Sequence, residues 1–149
     1  MEETYVMVKP DGVQRGLVGE IISRIERRGF KIVALRMNFI DEDTAKEHYA
    51  EHKEKPFFDS LIAYVTSGPS VSMIVQGKNA ISIMRTINGA TNPVDASPGT
   101  IRGDFAIETG RNIVHASDSQ EAARREISIH FGEKESVDYR KIDEVCLYE

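Results

Sequence analysis

The chain has 149 residues, of which 40% are hydrophobic and 29% charged, and its formal net charge at pH 7 is −5. This size predicts a single domain spanning residues 1–149, and the lack of a long apolar run or a basic stripe argues against membrane and nucleic-acid partners. The lone Cys146 excludes an internal disulfide and the first residues lack a signal-peptide pattern, so we expect a cytoplasmic protein.

The first forty residues predict a strand, a helix and a second strand. Residues 4–8 alternate as in a strand, and apolar side chains then recur at helical spacing over residues 17–28, where Gly29 is placed to end the helix. Residues 33–39 alternate in a way that is typical of a half-buried strand.

Two further helices are predicted before the third strand. Asp41 is placed to cap a helix that extends to about residue 51, Pro56 interrupts the pattern, and residues 58–66 form the second helix. We expect these two helices to pair as a hairpin.

The next part of the chain predicts a long loop between two strands. Residues 71–75 form the third strand, and residues 81–87 form a helix that Gly89 ends. Proline and glycine then recur through residues 92–103, and a loop of this length in a compact domain is more often functional than idle. Residues 113–114 predict a short fourth strand.

A helix and an irregular tail complete the chain. Ser117 and Gln120 have the spacing of a capping pair for a helix that extends to about Phe131. The tail over residues 133–149 is rich in apolar side chains, which we expect to be buried against the domain or a neighbouring subunit. The order of elements indicates an α+β protein with a ferredoxin-like, four-stranded antiparallel sheet covered on one face by helices, with an added helical hairpin.

His115 is the first candidate for chemistry. It ends the short fourth strand just ahead of a capped helix, where a side chain can face a cleft and backbone N–H groups can hold an anion. A neutral imidazole nitrogen is available as a nucleophile at physiological pH. The position alone fits equally well a histidine that only makes a hydrogen bond at the strand end.

Glu126 is the second candidate because it borders the apolar stripe of the same helix. A carboxylate in such a place needs a partner, and if it accepts a proton from one imidazole nitrogen it orients the other. The alternative is a surface salt bridge with Arg124 or Arg125, which the spacing alone slightly favours.

Three basic residues complete the candidate set. Lys9 follows the first strand, Arg85 lies in the helix before the long loop, and Arg102 lies within that loop. Arginine binds phosphate oxygens in a bidentate manner and lysine supplies a compact charge, although each residue alone is typical of a solvated surface. Residues 72–79 lack the required first glycine and final hydroxyl residue of a Walker loop, so a phosphate site must be built differently.

The segment Asn112-Ile113-Val114-His115-Ala116-Ser117-Asp118-Ser119 resembles the active-site signature of nucleoside diphosphate kinases. Further segments resemble the same family, in order, along the whole chain. They are KPDGVQRG (9–16), HY (48–49), KPFF (55–58), SGP (67–69), TNP (91–93) and PGTIRGDF (98–105). Such a set is more specific than any single motif.

The resemblance implies an enzyme that transfers the γ-phosphate of a nucleoside triphosphate, typically ATP, to a nucleoside diphosphate by a ping-pong mechanism. His115 would be the phosphorylated nucleophile, and Glu126 would orient its ring with Ser117 close by. Tyr49 would approach the imidazole, and Lys9 would approach the transferring phosphate.

The resemblance also implies a nucleotide site. Phe57 would stack on the base, and Asn112 with Lys9 would meet the sugar hydroxyls. Arg85, Thr91 and Arg102 would hold the donor's phosphates. The residues implied to bind the nucleotide are Lys9, Phe57, Leu61, Arg85, Thr91, Arg102, Thr109 and Asn112. Two positions depart from common family residues: Ala116 replaces a frequent glycine, and Thr109 stands where valine is frequent, which would slightly weaken base packing.

Magnesium and assembly are further implications of the resemblance. Mg²⁺ would be carried in by the nucleotide phosphates rather than held by a protein cage, and the chain would form a homo-oligomer, most commonly a hexamer, with a tetramer as the alternative. The long active-site loop would also reach a neighbouring subunit. The competing hypothesis is a nucleotide-sensing domain without catalysis. A sensor has no need of an oriented nucleophile, so the pairing of His115 with Glu126 would discriminate between the two.

Overall fold

The computed structural model describes all residues from 1 to 149 and contains one four-stranded sheet. The strands are β1 (Glu2–Val8), β2 (Lys31–Phe39), β3 (Pro69–Gly77) and β4 (Val114–Ala116). They are antiparallel in the order β2-β3-β1-β4, so β1 and β3 are central and β2 and β4 are edges. This order confirms the predicted ferredoxin-like sheet.

Eight α-helices and three 3₁₀ segments lie between the strands and after the last one. The helices are α1 (Pro10–Gln14), α2 (Val18–Arg27), α3 (Glu42–His48), α4 (Phe58–Val65), α5 (Ala80–Asn88), α6 (Ile101–Phe105), α7 (Gln120–His130) and α8 (Glu144–Leu147). The 3₁₀ segments are Ala50–His52, Pro93–Asp95 and Thr109–Arg111. Helix α3 is capped by Asp41 as predicted, since its carboxylate accepts from the Thr44 N–H at 2.7 Å.

Helices cover both faces of the sheet, so the prediction of one covered face is wrong. In β1, Val6 and Val8 pack against α2 and α5, while Tyr5 and Met7 pack against α3, α4 and α7. All four side chains are fully buried. Strand β1 therefore lies between two cores, and the two faces of its neighbour β4 are directed into different layers of the protein.

The apolar residues of β2 differ from the half-buried pattern that was predicted. Strand alternation is present, but the outer apolar residues Leu35, Met37 and Phe39 are exposed. The register shifts between Ile32 and Ala34, and a shift of one residue moves every following side chain to the opposite face. The edge strand therefore presents an apolar row to solvent in the single chain.

Two five-residue helices were not predicted. Helix α1 starts at Pro10, a residue that is preorganised for the first helical position, and α6 lies inside the long loop. Thr100 caps α6 by accepting from the Gly103 N–H at 3.0 Å. Both helices are shorter than the windows over which helical periodicity can be recognised. They order the two segments on either side of the candidate site.

The start of α7 corrects a second prediction. Ser119, not Ser117, is the N-cap, because its Oγ accepts from the Ala122 N–H at 3.0 Å. Ser117 instead points inward and is fully buried. Strand β4 also begins one residue later than predicted and includes His115 in its middle.

The C-terminal tail follows the edge of the sheet without burying most of its apolar side chains. The Val137 N–H donates to the Val33 carbonyl at 2.8 Å, and Lys31 pairs with Glu144 at 3.2 Å. Ile142 and Val145 remain exposed, so the single chain does not show the predicted burial of these residues against the domain. No helix has the length and apolar character needed to cross a membrane.

Candidate active site

His115 lies in the middle of β4, opposite Met7 of β1. Because cross-strand partners share a face, its side chain is directed to the layer that contains α7. It lines a cleft of about 300 Å³ and is 22% exposed, which leaves it accessible to a ligand. A larger surface groove, about 800 Å³, is lined by the start of β1 and by α7 and contains none of the predicted site residues.

Glu126 meets His115 directly. It lies on the buried face of α7, is 4% exposed, and its Oε1 is 2.6 Å from Nε2 of His115. The Ser117 hydroxyl donates to the same oxygen at 2.9 Å. The alternative partner Arg125 is farther away, with 3.7 Å between its Nη2 and Oε2 of Glu126. The imidazole is therefore the main partner of this carboxylate.

The hydrogen bond to Glu126 defines which imidazole nitrogen is free. An ionised carboxylate can only accept, so Nε2 carries the hydrogen and Nδ1 keeps its lone pair. Burial, followed by the positive charges of Lys9, Arg102 and Arg85, lowers the pKa of His115 to about 3. Burial raises the pKa of Glu126. The arrangement provides a neutral, oriented imidazole at physiological pH.

Lys9 belongs to a chain of hydrogen bonds beside the histidine. Its Nζ donates to Oδ1 of Asn112 at 2.9 Å, and Nδ2 of Asn112 donates to the Thr91 carbonyl at 2.9 Å. Burial and the nearby charge of Arg102 lower the pKa of Lys9 to about 8. Three of the predicted nucleotide-binding residues are thus connected before any ligand binds.

Arg102 has a structural role in addition to its predicted phosphate contact. Its guanidinium is buried and donates to the carbonyls of Asn112, Gly89 and Val114, at 3.2, 2.8 and 2.6 Å. Because Arg102 lies within the long loop, these bonds connect the loop to Gly89 at its start and to Asn112 and β4 at its end. A guanidinium has further N–H groups, which remain available for an anion. Arg85 is exposed at the rim of the cleft.

Tyr49 ends α3 and is buried, yet its hydroxyl has no hydrogen-bond partner. Burial, with a smaller contribution from the negative charge of Glu126, raises its pKa, so the hydroxyl stays protonated. Leaving a buried hydroxyl unpaired is costly, and a ligand oxygen would relieve that cost. Tyr49 therefore supplies a donor that the protein itself does not use.

The predicted base-binding residues are placed at the surface. The Phe57 ring, immediately before α4, is 49% exposed, and Nζ of Lys55 lies 5.7 Å from its centroid. Leu61 is one turn further along α4 and only partly buried. Thr109, after α6, is exposed, and so is Thr91 before α6, which is predicted to hold phosphate and not the base. These residues are accessible to a base, but they do not form the dense contacts that surround His115.

Sequence reasoning missed a support beneath β4. Ile113 has φ of 74°, a strained value for a β-branched residue, and the Asp11 carboxylate accepts from its N–H at 3.0 Å. The Tyr64 hydroxyl in turn donates to Asp11. A Cβ at Gly12 would be 2.7 Å from Val8, so glycine permits this close approach. The family-like segment 9–16 contained the signal, but the strained conformation is visible only in three dimensions.

A group of potential metal ligands overlaps the site. His48, His115 and Glu126 offer ligand atoms within 4.8 Å of one another. The positive charges that lower the pKa of His115 disfavour a cation at this position. Two imidazoles are also a poor set for Mg²⁺, which prefers oxygen. The geometry therefore favours a hydrogen-bonded nucleophile over a resident magnesium site.

Comparisons with known proteins agree with this geometry. The family model described as nucleoside diphosphate kinase matches residues 2–136. A nucleoside diphosphate kinase of Methanosarcina barkeri is 74% identical over 149 residues, which cover 100% of this chain and 100% of the relative.

Solved structures of the same family have the same fold. A nucleoside diphosphate kinase family protein from Babesia bovis is 46% identical with a TM-score of 0.97, and the match covers 99% of this chain and 100% of that protein. A halophilic nucleoside diphosphate kinase from Halobacterium salinarum, in complex with CDP, is 48% identical with a TM-score of 0.97 and 99% coverage of each chain. The chain therefore belongs to the nucleoside diphosphate kinase family of phosphate-transferring enzymes.

Proposed function

We propose that the protein moves the γ-phosphate of a nucleoside triphosphate, typically ATP, to a nucleoside diphosphate through a phosphorylated His115. The observation that carries the proposal is the 2.6 Å contact between His115 Nε2 and Glu126, which leaves Nδ1 as the free nitrogen in a cationic cleft. An oriented nucleophile beside phosphate-binding charges is what covalent phosphoryl transfer needs.

The reaction divides into two balanced transfers. Nδ1 of His115 attacks the γ-phosphorus, a P–N bond forms, and the bond to the β–γ bridging oxygen breaks as the nucleoside diphosphate leaves. A second diphosphate then attacks the phosphorus with a terminal oxygen, and the P–N bond breaks. Positive charge develops on the imidazole during the first transfer, and Glu126 stabilises it through Nε2–H.

The cationic residues are proposed to hold the phosphates. Arg85 and Arg102 supply N–H forks, Lys9 supplies a point charge, and Tyr49 supplies its unused hydroxyl. Ser117 acts indirectly, because its donation to Glu126 fixes the carboxylate oxygen that meets the imidazole. Preorganised groups of this kind stabilise a spread negative charge without rearrangement.

We propose that the site recognises the shape of the nucleoside and discriminates weakly between the bases. Phe57 stacks on the base with Leu61 and Thr109 around it, Thr91 contributes to the phosphate side, and Asn112 with Lys9 meets the sugar hydroxyls. The CDP bound to the Halobacterium relative supports a site for nucleoside diphosphates. A stacking platform tolerates every base because each has a π-face.

Kinases of this family need a divalent metal. We propose Mg²⁺ that is bound by the nucleotide phosphates, because the one close ligand group contains two imidazoles rather than a set of oxygens. The metal would neutralise phosphate charge, while the residues named above orient the phosphate and the nucleophile.

A homo-oligomer, specifically a hexamer, is part of the proposal. Its support is the apolar surface of the single chain: the row Leu35, Met37 and Phe39 on β2, and Ile142 and Val145 in the tail. Exposed apolar rows of this kind are typical of subunit contacts. Light scattering should give six times the 16.7 kDa chain mass, and a fully active monomer would contradict the assembly.

We also infer that the chain acts as one domain in the cytoplasm. The tail is connected to the sheet through Val137 and Val33, which supports a single unit. The one free cysteine, Cys146, fits a reducing compartment. Limited proteolysis and cell fractionation test these two statements.

The covalent step is tested by isolating the intermediate. The pure protein is incubated with γ-labelled ATP and Mg²⁺, and nucleotide is then removed. We expect label that stays on the protein, is lost in acid, survives base, and passes to any added nucleoside diphosphate. Acid-stable label would assign the phosphate to a serine such as Ser117 or Ser119, and phosphate transfer without label would exclude the intermediate.

A further inference from the structure

Two buried histidines have no part in the reaction described above. His48 at the end of α3 is 3% exposed, and His130 at the end of α7 is 5% exposed. Nδ1 of His48 lies 2.9 Å from Nε2 of His130, so the two rings form a hydrogen bond across two helices. Buried polar groups are costly unless they are paired, and this bond is the pairing that the two rings share.

The pair is in direct contact with the nucleophile. The His48 ring lies edge-on to the His115 ring, with centroids 4.8 Å apart and an interplanar angle of 75°. A ring nitrogen of His48 also lies within 4.8 Å of the ligand atoms of His115 and Glu126. His130 is stacked on Tyr5, with 4.5 Å between centroids, and it follows Glu126 by one turn on the buried face of α7. The pair thus connects the carboxylate helix to the side of the nucleophile ring.

The surroundings keep both rings neutral. Burial and then His115 lower the pKa of His48 well below its ordinary value, and the same two causes lower the pKa of His130 to about 4. Between two neutral rings, one nitrogen must donate and the other must accept, so the tautomer of one determines the tautomer of the other.

The charged groups near His48 decide between the two tautomers. The groups that face it are His115 on β4, Glu126, Arg125 and His130 on α7, Tyr5 on β1 and Tyr49 on α3. Glu126 is the only negative group among them, and Nε2 is the nitrogen of His48 that the bond to His130 leaves free. We therefore assign the hydrogen of His48 to Nε2. In that state Nε2 of His130 donates, Nδ1 of His48 accepts, and Nε2 of His48 carries the hydrogen.

We propose that His130 and His48 are positioning residues for the nucleophile: His130 fixes the tautomer of His48, and His48 holds the His115 ring and the Glu126 carboxylate in their reactive arrangement. This inference rests on the proposed phosphorylation of His115. It adds two residues that do not touch the nucleotide, so they should affect the rate of histidine phosphorylation and leave nucleotide affinity unchanged.

The test measures His115 phosphorylation by phosphoramidate, a donor without a nucleoside, beside phosphorylation by ATP. His130→Phe keeps the aromatic stack on Tyr5 but removes the hydrogen bond to His48. His130→Gln places an amide N–H near the position of the lost Nε2–H. Phe131→Leu is the matched control, because Phe131 packs in the same layer but makes no bond to His48.

We expect His130→Phe to slow both phosphorylation reactions about fivefold to tenfold, the effect of one neutral hydrogen bond, with the ADP dissociation constant unchanged. When the phosphorylation rate of this variant is plotted against pH, the loss of rate in acid should begin at a higher pH than in the wild type, because Nδ1 of His48 becomes open to a proton. His130→Gln should restore most of the rate. Phe131→Leu should lower thermal stability without changing either reaction beyond its loss of folded protein.

Three results would overturn the inference. They are unchanged labelling in His130→Phe, no recovery in His130→Gln, or an equal loss of rate in Phe131→Leu at matched stability. If the wild-type protein accepts no phosphate from either donor, the proposed function fails first and the pair loses its role with it. If His130→Phe does not fold, ¹⁵N-histidine NMR of the wild type decides, since it should show His48 neutral with hydrogen on Nε2, and hydrogen on Nδ1 would contradict the proposal.

Discussion

The nucleophile side and the base side of the candidate site are built in opposite ways. Around His115, the hydrogen bonds to Glu126, from Ser117 and between the neighbouring histidines have lengths of 2.6, 2.9 and 2.9 Å and are buried or part-buried. Around Phe57, the ring is half exposed and the nearby Thr109 is at the surface. The chemistry is therefore preorganised within the core, whereas base contacts are left to a platform that any base can cover.

This difference separates rate from affinity. A group that is fixed before the ligand arrives costs no rearrangement in the transition state, so changes on the nucleophile side should act on the rate. An exposed stacking ring contributes similarly to ground and transition states, so changes there should act on binding. Variants on the two sides of the site should therefore change the phosphorylation rate and the nucleotide affinity separately.

His115→Ala should have the largest effect. Phosphate transfer and covalent labelling should both be lost, while nucleotide binding persists because Lys9, Arg102 and Phe57 remain. Calorimetry with ADP and labelling with γ-labelled ATP measure the two properties separately. Labelling of the alanine variant at the wild-type rate would assign the phosphate to another residue.

Glu126→Gln should be the next most severe change. The amide keeps the shape but removes the charge that stabilises a positive imidazole, so both half-reactions should slow on the order of ten- to a thousandfold. Single-turnover kinetics with ATP, and then with the phosphorylated protein and ADP, measure each half. Glu133→Gln, beyond the end of α7, is the charge-matched control. A rate loss confined to one half would show that Glu126 does not act on the shared imidazole.

His115 and the buried His130 predict a loss of stability in acid. The pKa values of His115 and His130 are lowered to about 3 and about 4, whereas an unfolded histidine titrates near its ordinary value. Between about pH 6.5 and pH 4 the unfolded chain therefore binds protons that the folded protein excludes, and each such histidine lowers the free energy of unfolding by about 1.4 kcal/mol per pH unit. Glu126, with its raised pKa, opposes this trend by taking up a proton in the folded state.

Urea unfolding at fixed protein concentration measures this dependence. The free energy of unfolding should be nearly constant around pH 7 and fall as the pH decreases from about 6.5, with a shallower slope in His130→Phe because one buried histidine is gone. Constant stability between pH 7 and pH 5, in the wild type and in His130→Phe alike, would contradict the exclusion of protons from His130 in the folded protein.

Phe57→Ala should have the smallest effect on chemistry. Loss of one stacking contact should weaken nucleotide binding by about 1 kcal/mol, the lower end for base stacking, with little change in the labelling rate at saturation. Purine and pyrimidine diphosphates should be accepted within about tenfold of one another by the wild type. A strict preference for one base would point to hydrogen-bond recognition on the base side.

Strand alternation and helical spacing were sufficient to predict the ferredoxin-like sheet from the order of elements. The pairing of His115 with Glu126 followed from the family resemblance, because helical spacing alone slightly favoured a salt bridge from Glu126 to Arg124 or Arg125. The capping pattern could not distinguish Ser117 from Ser119, since both serines have suitable spacing, and only the resemblance placed Ser117 beside Glu126. The strained Ile113 depends on the hydrogen bond that its N–H donates to Asp11, a residue distant in sequence. The exposed row of β2 depends on a register shift that no periodicity reveals.

Initial-rate kinetics with donor and acceptor nucleotides both varied test the central claim most directly. If one site serves both nucleotides in turn through phosphorylated His115, the double-reciprocal lines are parallel at every acceptor concentration below inhibition. Lines that intersect would require both nucleotides to bind together and would exclude His115 as a covalent carrier.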